Sequence, residues 1–160
     1  MSGGFRADPV WETLYKVTKL IYGLELTSAA LATADPLTPL GGQCVKYYMG
    51  NNNSLSALVR ADSEREVIAV LSRIFRALCA VRGIAPWFER VPSNRNITDN
   101  PTRNEDVPFI IDEIADFSFE MELFRMVTIG LTEMRAGTFD PTALVGRLYP
   151  PYLWTNNGGR

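Results

Sequence analysis

Residues 107–137, VPFIIDEIADFSFEMELFRMVTIGLTEMRAG, are the stretch that most narrows what this chain can fold into. Pro108 stands near its start, where a missing N–H costs nothing, and Glu105, Asp106, Asp112 and Glu113 lie toward the positive end of a helix dipole. Gly137 follows Arg135 as a stop, so one long helix is expected. On a wheel of about 100° per residue, Asp112, Glu113, Asp116 and Glu120 share one strip. Ile110, Ile111, Phe117, Met121, Phe124, Arg125, Met126 and Ile129 spread over much of the remaining circumference. A helix that apolar must be covered on several sides, and 160 residues cover it only in part. Other copies of the chain are expected to finish the cover. The plainer alternative is a monomeric bundle whose acidic face is solvated.

Composition sets the remaining bounds. With 46% hydrophobic and 21% charged residues the chain reads as one globular domain over 1–160, with a loose arm at 1–8 and a flexible tail at 155–160. A net charge of −2 argues against general affinity for polyanions and leaves only local basic patches for such contacts. Cys44 and Cys79 follow no metal spacing and are too few for a disulfide scaffold, so a reducing compartment is expected. No apolar run reaches the ~20 residues that span a bilayer, and no membrane partner is expected. Histidine is absent, which removes Ser-His-Asp and Cys-His nucleophile systems and His-ligated zinc. No glycine-rich phosphate loop, paired CxxC or EF-hand loop is present. The expectation is no enzyme, no cofactor and no metal.

Taken in order, Asp8 caps and Pro9 opens a first helix over 9–22, and Gly23 ends or bends it before LELTSAALATA, itself a candidate helix. Two prolines and two glycines over 35–42 then break the chain. Residues 43–49 suit a strand or two helical turns. Gly50-Asn51-Asn52-Asn53 is a turn, and 54–60 a strand or a lead-in. A second strong helix is expected over 63–82, opened by a capping box between Ser63 and Glu66 and stopped by Gly83. Arg65, Arg73 and Arg76 lie opposite its apolar face, either solvated or facing the acidic strip of the long helix.

Residues 83–104 carry breakers near both ends and no sustained period, so a long loop is expected there. From 82 to 104, Arg82, Arg90, Arg95 and Arg103 stand against Glu89 and Asp99, a local charge of +2. Asn94, Asn96, Asn100 and Asn104 add amides, and Trp87 and Phe88 add flat surfaces. These are the residue types that hold phosphates and stack bases of single-stranded nucleic acid. An ordinary surface loop with its tryptophan in the core is the plainer alternative. Beyond the long helix, 142–148 suits a short helix, and YPPYLW over 149–154 is either a contact strip for a neighbour or packed on its own bundle.

Ala7-Asp8-Pro9, DNPTRNEDV over 99–107, GLTEMRAGTFD over 130–140 and Leu153-Trp154-Thr155 occur in an order and spacing that resemble the coat proteins of rod-shaped plant RNA viruses, the tobacco mosaic virus (tobamovirus) type. The length, the three tryptophans and the missing histidine agree. The resemblance implies an all-α fold: an up-down four-helix bundle with a long inter-helix loop and at most short β elements. It further implies copies that assemble helically as a homo-oligomer around single-stranded RNA, in the virion and the host cytoplasm. Arg95, within Ser93-Asn94-Arg95-Asn96, is similar by position to the family's phosphate-contacting arginines, and Arg103 falls where the family places basic residues. The expected RNA-binding set is therefore Arg82, Arg90, Asn94, Arg95, Asn96 and Arg103. By region, Asp106, Asp112, Glu113 and Asp116 correspond to the family's inter-subunit carboxylates, whose repulsion helps particles open. The chain departs from the family at Ala85-Pro86-Trp87, at Pro92 and early in the long helix. The alternative is a helical adaptor that binds a protein partner through 149–154, without nucleic acid.

Overall fold

The elements in chain order are β1 (Gly3–Gly4), α1 (Val10–Tyr15), α2 (Leu20–Ala34), β2 (Cys44–Met49), α3 (Asn52–Arg60), α4 (Glu66–Val81), β3 (Ala85–Arg90), β4 (Glu113–Ile114), α5 (Glu120–Ala136) and α6 (Pro141–Leu148). This computed structural model describes residues 3–4, 10–15, 20–35, 39–92, 113–114 and 119–149. The centre is α4. Its apolar set recurs at helical spacing, so Ile68, Val70, Leu71, Ile74, Phe75 and Leu78 are all buried, against α2 on one side and α5 and α6 on another. Its two ends differ in how far the sequence foretold them. The capping box does not form: Ser63 Oγ accepts from the Arg65 N–H at 3.2 Å, and Glu66 takes Arg135 Nε at 2.9 Å instead. At the other end Gly83, at φ +65°, donates to Ala80 O, and Ile84 N–H reaches back to Cys79 O at 2.8 Å. That is the glycine-closed helix end the sequence predicts.

Three further expectations are corrected. The fold is not a pure four-helix bundle: helices pack with a parallel two-stranded ladder of β2 and β3, in register from Cys44↔Ala85 to Met49↔Arg90. The stretch read as a loop thus holds a strand. Residues 45, 47 and 49 point inward and 44, 46 and 48 outward, the period-2 burial that makes a half-covered strand stable. Pro86 fits because in a two-stranded ladder each strand has an open edge where a missing N–H is no loss. Parallel neighbours need a crossover, and α3 and α4 supply it. Secondly, 54–60 belongs to α3 and is no strand, because Asn51 Oδ1 accepts from the Asn53 N–H at 2.7 Å and opens a helix.

The third correction concerns 107–137. The helix there is α5, starting at Glu120, whereas Glu113 and Ile114 form β4 and pair in parallel with Gly3 and Gly4. β-Branched Ile114 suits a strand better than a helix. Glu120 accepts a bond from Trp11 Nε1 at 2.7 Å, so it is tied to α1. The apolar side of α5 is covered within one copy: Leu123, Met126 and Val127 are buried, and α5 lies against α4 and α6. A Cβ on Gly130 would stand 2.7 Å from Val70 Cγ1, so this glycine is what lets α5 lie so close to α4. Met121 is 50% exposed, and Phe124, Ile129, Leu131 and Met134 are partly buried.

The C-terminal end of α2 joins these parts. Arg82 is 3% exposed, and its Nη1 donates to Thr33 O at 2.7 Å and Asp35 O at 3.0 Å. Tyr149 Oη donates to the carbonyl between them, Ala34 O, at 2.6 Å. Thr33 gives its hydroxyl proton to Ala29 O at 2.7 Å, so Tyr47, 2.8 Å away, is the donor in the bond between the two hydroxyls. Orphan carbonyls at a helix end are thereby satisfied, with a cation at the negative end of the dipole. Arg82→Leu is expected to cost about 2–4 kcal/mol, because buried carbonyls lose a charged donor. Urea denaturation checks it, with exposed Arg90→Ala as the near-neutral control.

Burial also makes the fold sensitive to alkali. Desolvation pushes the Cys79 thiol up from 9.0 to about 12 and the Tyr149 phenol from 10.0 to about 12. Tyr15 and Tyr47 are raised for the same reason. The folded chain holds these protons more tightly than the unfolded one. Their stabilisation is therefore complete below the ordinary values and is lost as pH climbs from 9 toward about 12. Melting temperature followed against pH is expected to fall over that window, and less steeply in Tyr149→Phe.

Candidate nucleic-acid interface

The ladder carries the chemistry, on its outer face and at its exit. On the outer face stand Lys46 and Tyr48 from β2 and Trp87 and Glu89 from β3, with Tyr48 61% and Trp87 59% exposed. Glu89 Oε1 accepts from Lys46 Nζ at 3.1 Å and from Trp87 Nε1 at 3.2 Å, and Lys46 lies 5.9 Å from the Tyr48 ring centre. The Glu89 carboxylate, by hydrogen bond and charge, holds the Lys46 ammonium above its ordinary value. Of the two aromatics singled out from sequence, only Trp87 faces solvent in this way. Phe88 turns inward against Tyr47 and Phe75, with the Arg76 guanidinium 5.2 Å from its ring.

At the exit the register does something that sequence order conceals. Val91 N–H donates to Met49 O at 2.9 Å, so the end of β3 lies beside Gly50 and the Asn51 cap, and the expected 50–53 turn is shorter because Asn52 and Asn53 already belong to the first turn of α3. Arg90, Asn52, Asn53 and Pro92 are all exposed there, and the chain leads on into residues 93–104. The turn is braced from below: Glu25 accepts from Gly50 N–H at 2.6 Å and from Ser54 Oγ at 2.9 Å, a carboxylate at the positive end of α3. An exposed guanidinium and exposed amides are groups that suit phosphate oxygens and base edges.

The predicted residues separate accordingly. Arg82 is buried and works on α2, so it is not offered to a ligand. Arg90 is exposed at the ladder's end. Asn94, Arg95, Asn96 and Arg103 lie outside the described residues, as do Asp106, Asp112 and Asp116. Glu113 is in β4 and Glu120 opens α5, so these two do not share a helical strip. Nor do the α4 arginines face an acidic helix. Arg73 donates to Ala61 O and Asp62, and Arg76 to Leu58 O and Val59 O, so both hold the C-terminal end of α3. Tyr149 of the proposed contact strip is fully buried, and 150–154 lie outside the described residues.

Sequence reasoning misses Lys46, Tyr48 and the asparagines of the turn. The signal is present as the alternation in CVKYYM, which exposes every second residue once the segment is a strand. Among the described residues no group of three or more His, Cys, Asp or Glu could hold a metal ion, and no helix is long and apolar enough to cross a membrane. No family model, curated protein or solved structure matches the chain.

Glu25→Ala is expected to release the asparagine turn, costing about 1–2 kcal/mol and speeding hydrogen exchange at Gly50 and Ser54 while core amides of α4 stay protected.

Proposed function

We propose that this chain is a coat-forming protein that self-associates on single-stranded RNA and has no catalysis of its own. The observation that carries the reading is the ladder's exit, where exposed Arg90 stands beside the asparagine turn and leads into a stretch bearing Arg95 and Arg103. The resemblance of DNPTRNEDV and GLTEMRAGTFD to rod-shaped virus coats points the same way. A four-helix architecture is not part of the proposal. An acidic chain can work in this manner because each copy neutralises few phosphates, and attachment at many points along one strand multiplies weak contacts.

Arg90→Ala, Arg95→Ala and Arg103→Ala are each expected to weaken binding of an unstructured RNA oligonucleotide several-fold. Each should flatten the dependence of log affinity on log salt by about 0.7 for every phosphate the variant no longer neutralises. The variants should remain as stable as the parent. Unchanged salt slopes in all three would overturn the role of the exit. Sedimentation of the full chain as a large particle carrying nuclease-protected RNA is the broader expectation, and RNA left fully digestible counts against coating.

A further inference from the structure

The outer face of the ladder has an arrangement that RNA binding does not explain. The register sets Lys46 opposite Trp87 and Tyr48 opposite Glu89. Side chains alternate along a strand, so these four form one patch, with the rings on one diagonal and the charges on the other. The ammonium and carboxylate already touch at 3.1 Å, and the patch is neutral. A surface meant for phosphates carries net positive charge and no carboxylate at its middle. Two large rings left about 60% exposed on a neutral patch are instead the composition of a protein contact, where tyrosine and tryptophan are enriched and lone charges scarce.

The pattern is self-complementary. If a second copy is turned over a two-fold axis lying along the aromatic diagonal, each ring falls on its own counterpart. Each Lys46 then falls on the partner's Glu89. We propose that this face is where two copies of the chain meet, Trp87 and Tyr48 packing across the axis and Lys46 and Glu89 exchanging partners. This rests on the self-association proposed above and locates one of its contacts. A two-fold contact uses the same patch on both copies, as this one does. Ordinary interfaces take about 20–30 residues a side, far more than the outer face of two six-residue strands supplies, so the pairing is weak and concentration-dependent.

The test uses the full chain in analytical ultracentrifugation without RNA. Lys46→Glu and Glu89→Lys should each weaken self-association about tenfold or more, because like charges then oppose across the axis. An equimolar mixture of the two variants should associate again, since the all-acidic patch of one fits the all-basic patch of the other. No contact within a single copy predicts that rescue. Trp87→Ala should weaken association comparably, with its far-ultraviolet spectrum and melting unchanged. Association of the parent that persists in every variant overturns this interface while leaving coating intact. A parent that stays monomeric at all concentrations and on RNA sinks both. If Trp87→Ala abolishes RNA binding and leaves association alone, the face is a base-stacking platform and the inference is wrong.

Discussion

The structure depends on how the C-terminal end of α2 is closed. Three successive carbonyls, Thr33, Ala34 and Asp35, point into the protein, where unpaired they would each cost on the order of 1–3 kcal/mol. Arg82 and Tyr149, 47 to 49 and 115 residues away, take all three. The backbone of Arg82 is engaged as well: its carbonyl accepts from Gly42 N–H at 2.9 Å just before β2 begins, and Ala85 N–H then bonds to Gln43 O. One residue thus closes one helix, follows the end of another and helps set the start of the ladder. The register that brings Tyr48 beside Glu89 and Val91 to Met49 begins at that junction.

This explains why a count of arginines misleads about function. Arg82 groups with the basic loop because it is near in sequence, yet a guanidinium is also well suited to fork between two helix-end carbonyls. Arg73 and Arg76 do similar work on α3, and Arg135 and Arg147 pair with Glu66 and Glu133. Local charge in a sequence is thus an upper bound on charge available to a ligand. Burial and helix ends decide what is left.

What was legible follows the same division between local and long-range physics. Helix α4 and its glycine stop, the short helix over 142–148 and the strand option for 43–49 depend on neighbours a few residues apart, and all can be read from periodicity and stop signals, whereas the Asp140 cap of α6 went unread. β3 could not be read so, because APWFER has no meaning as a strand until β2 lies beside it, some 40 residues away in sequence. The break in 107–137 was hidden for a related reason. Apolar residues at several offsets satisfy a helical wheel and a strand equally, and pairing of Glu113 and Ile114 with two glycines near the N-terminus is a long-range choice. Within one copy, α4 and α6 pack against α5, and Leu123, Met126 and Val127 are buried.

The exit and the outer face lie on the same two strands, and this joins the two proposed contacts. If two copies pair face to face through the ladder as proposed, the shared strands would set two Arg90 positions relative to each other. Two weak phosphate contacts held at a fixed span act as one bivalent contact, whose strength depends on an effective concentration and not on the net charge of either copy. A chain of net charge −2 that uses Arg73, Arg76, Arg82, Arg135 and Arg147 in contacts of its own gains more from such paired attachment than from its overall charge. Pairing and coating would therefore rise together with concentration. On this proposal the lone copy is the weaker RNA binder, and coating would set in only once enough of it has accumulated.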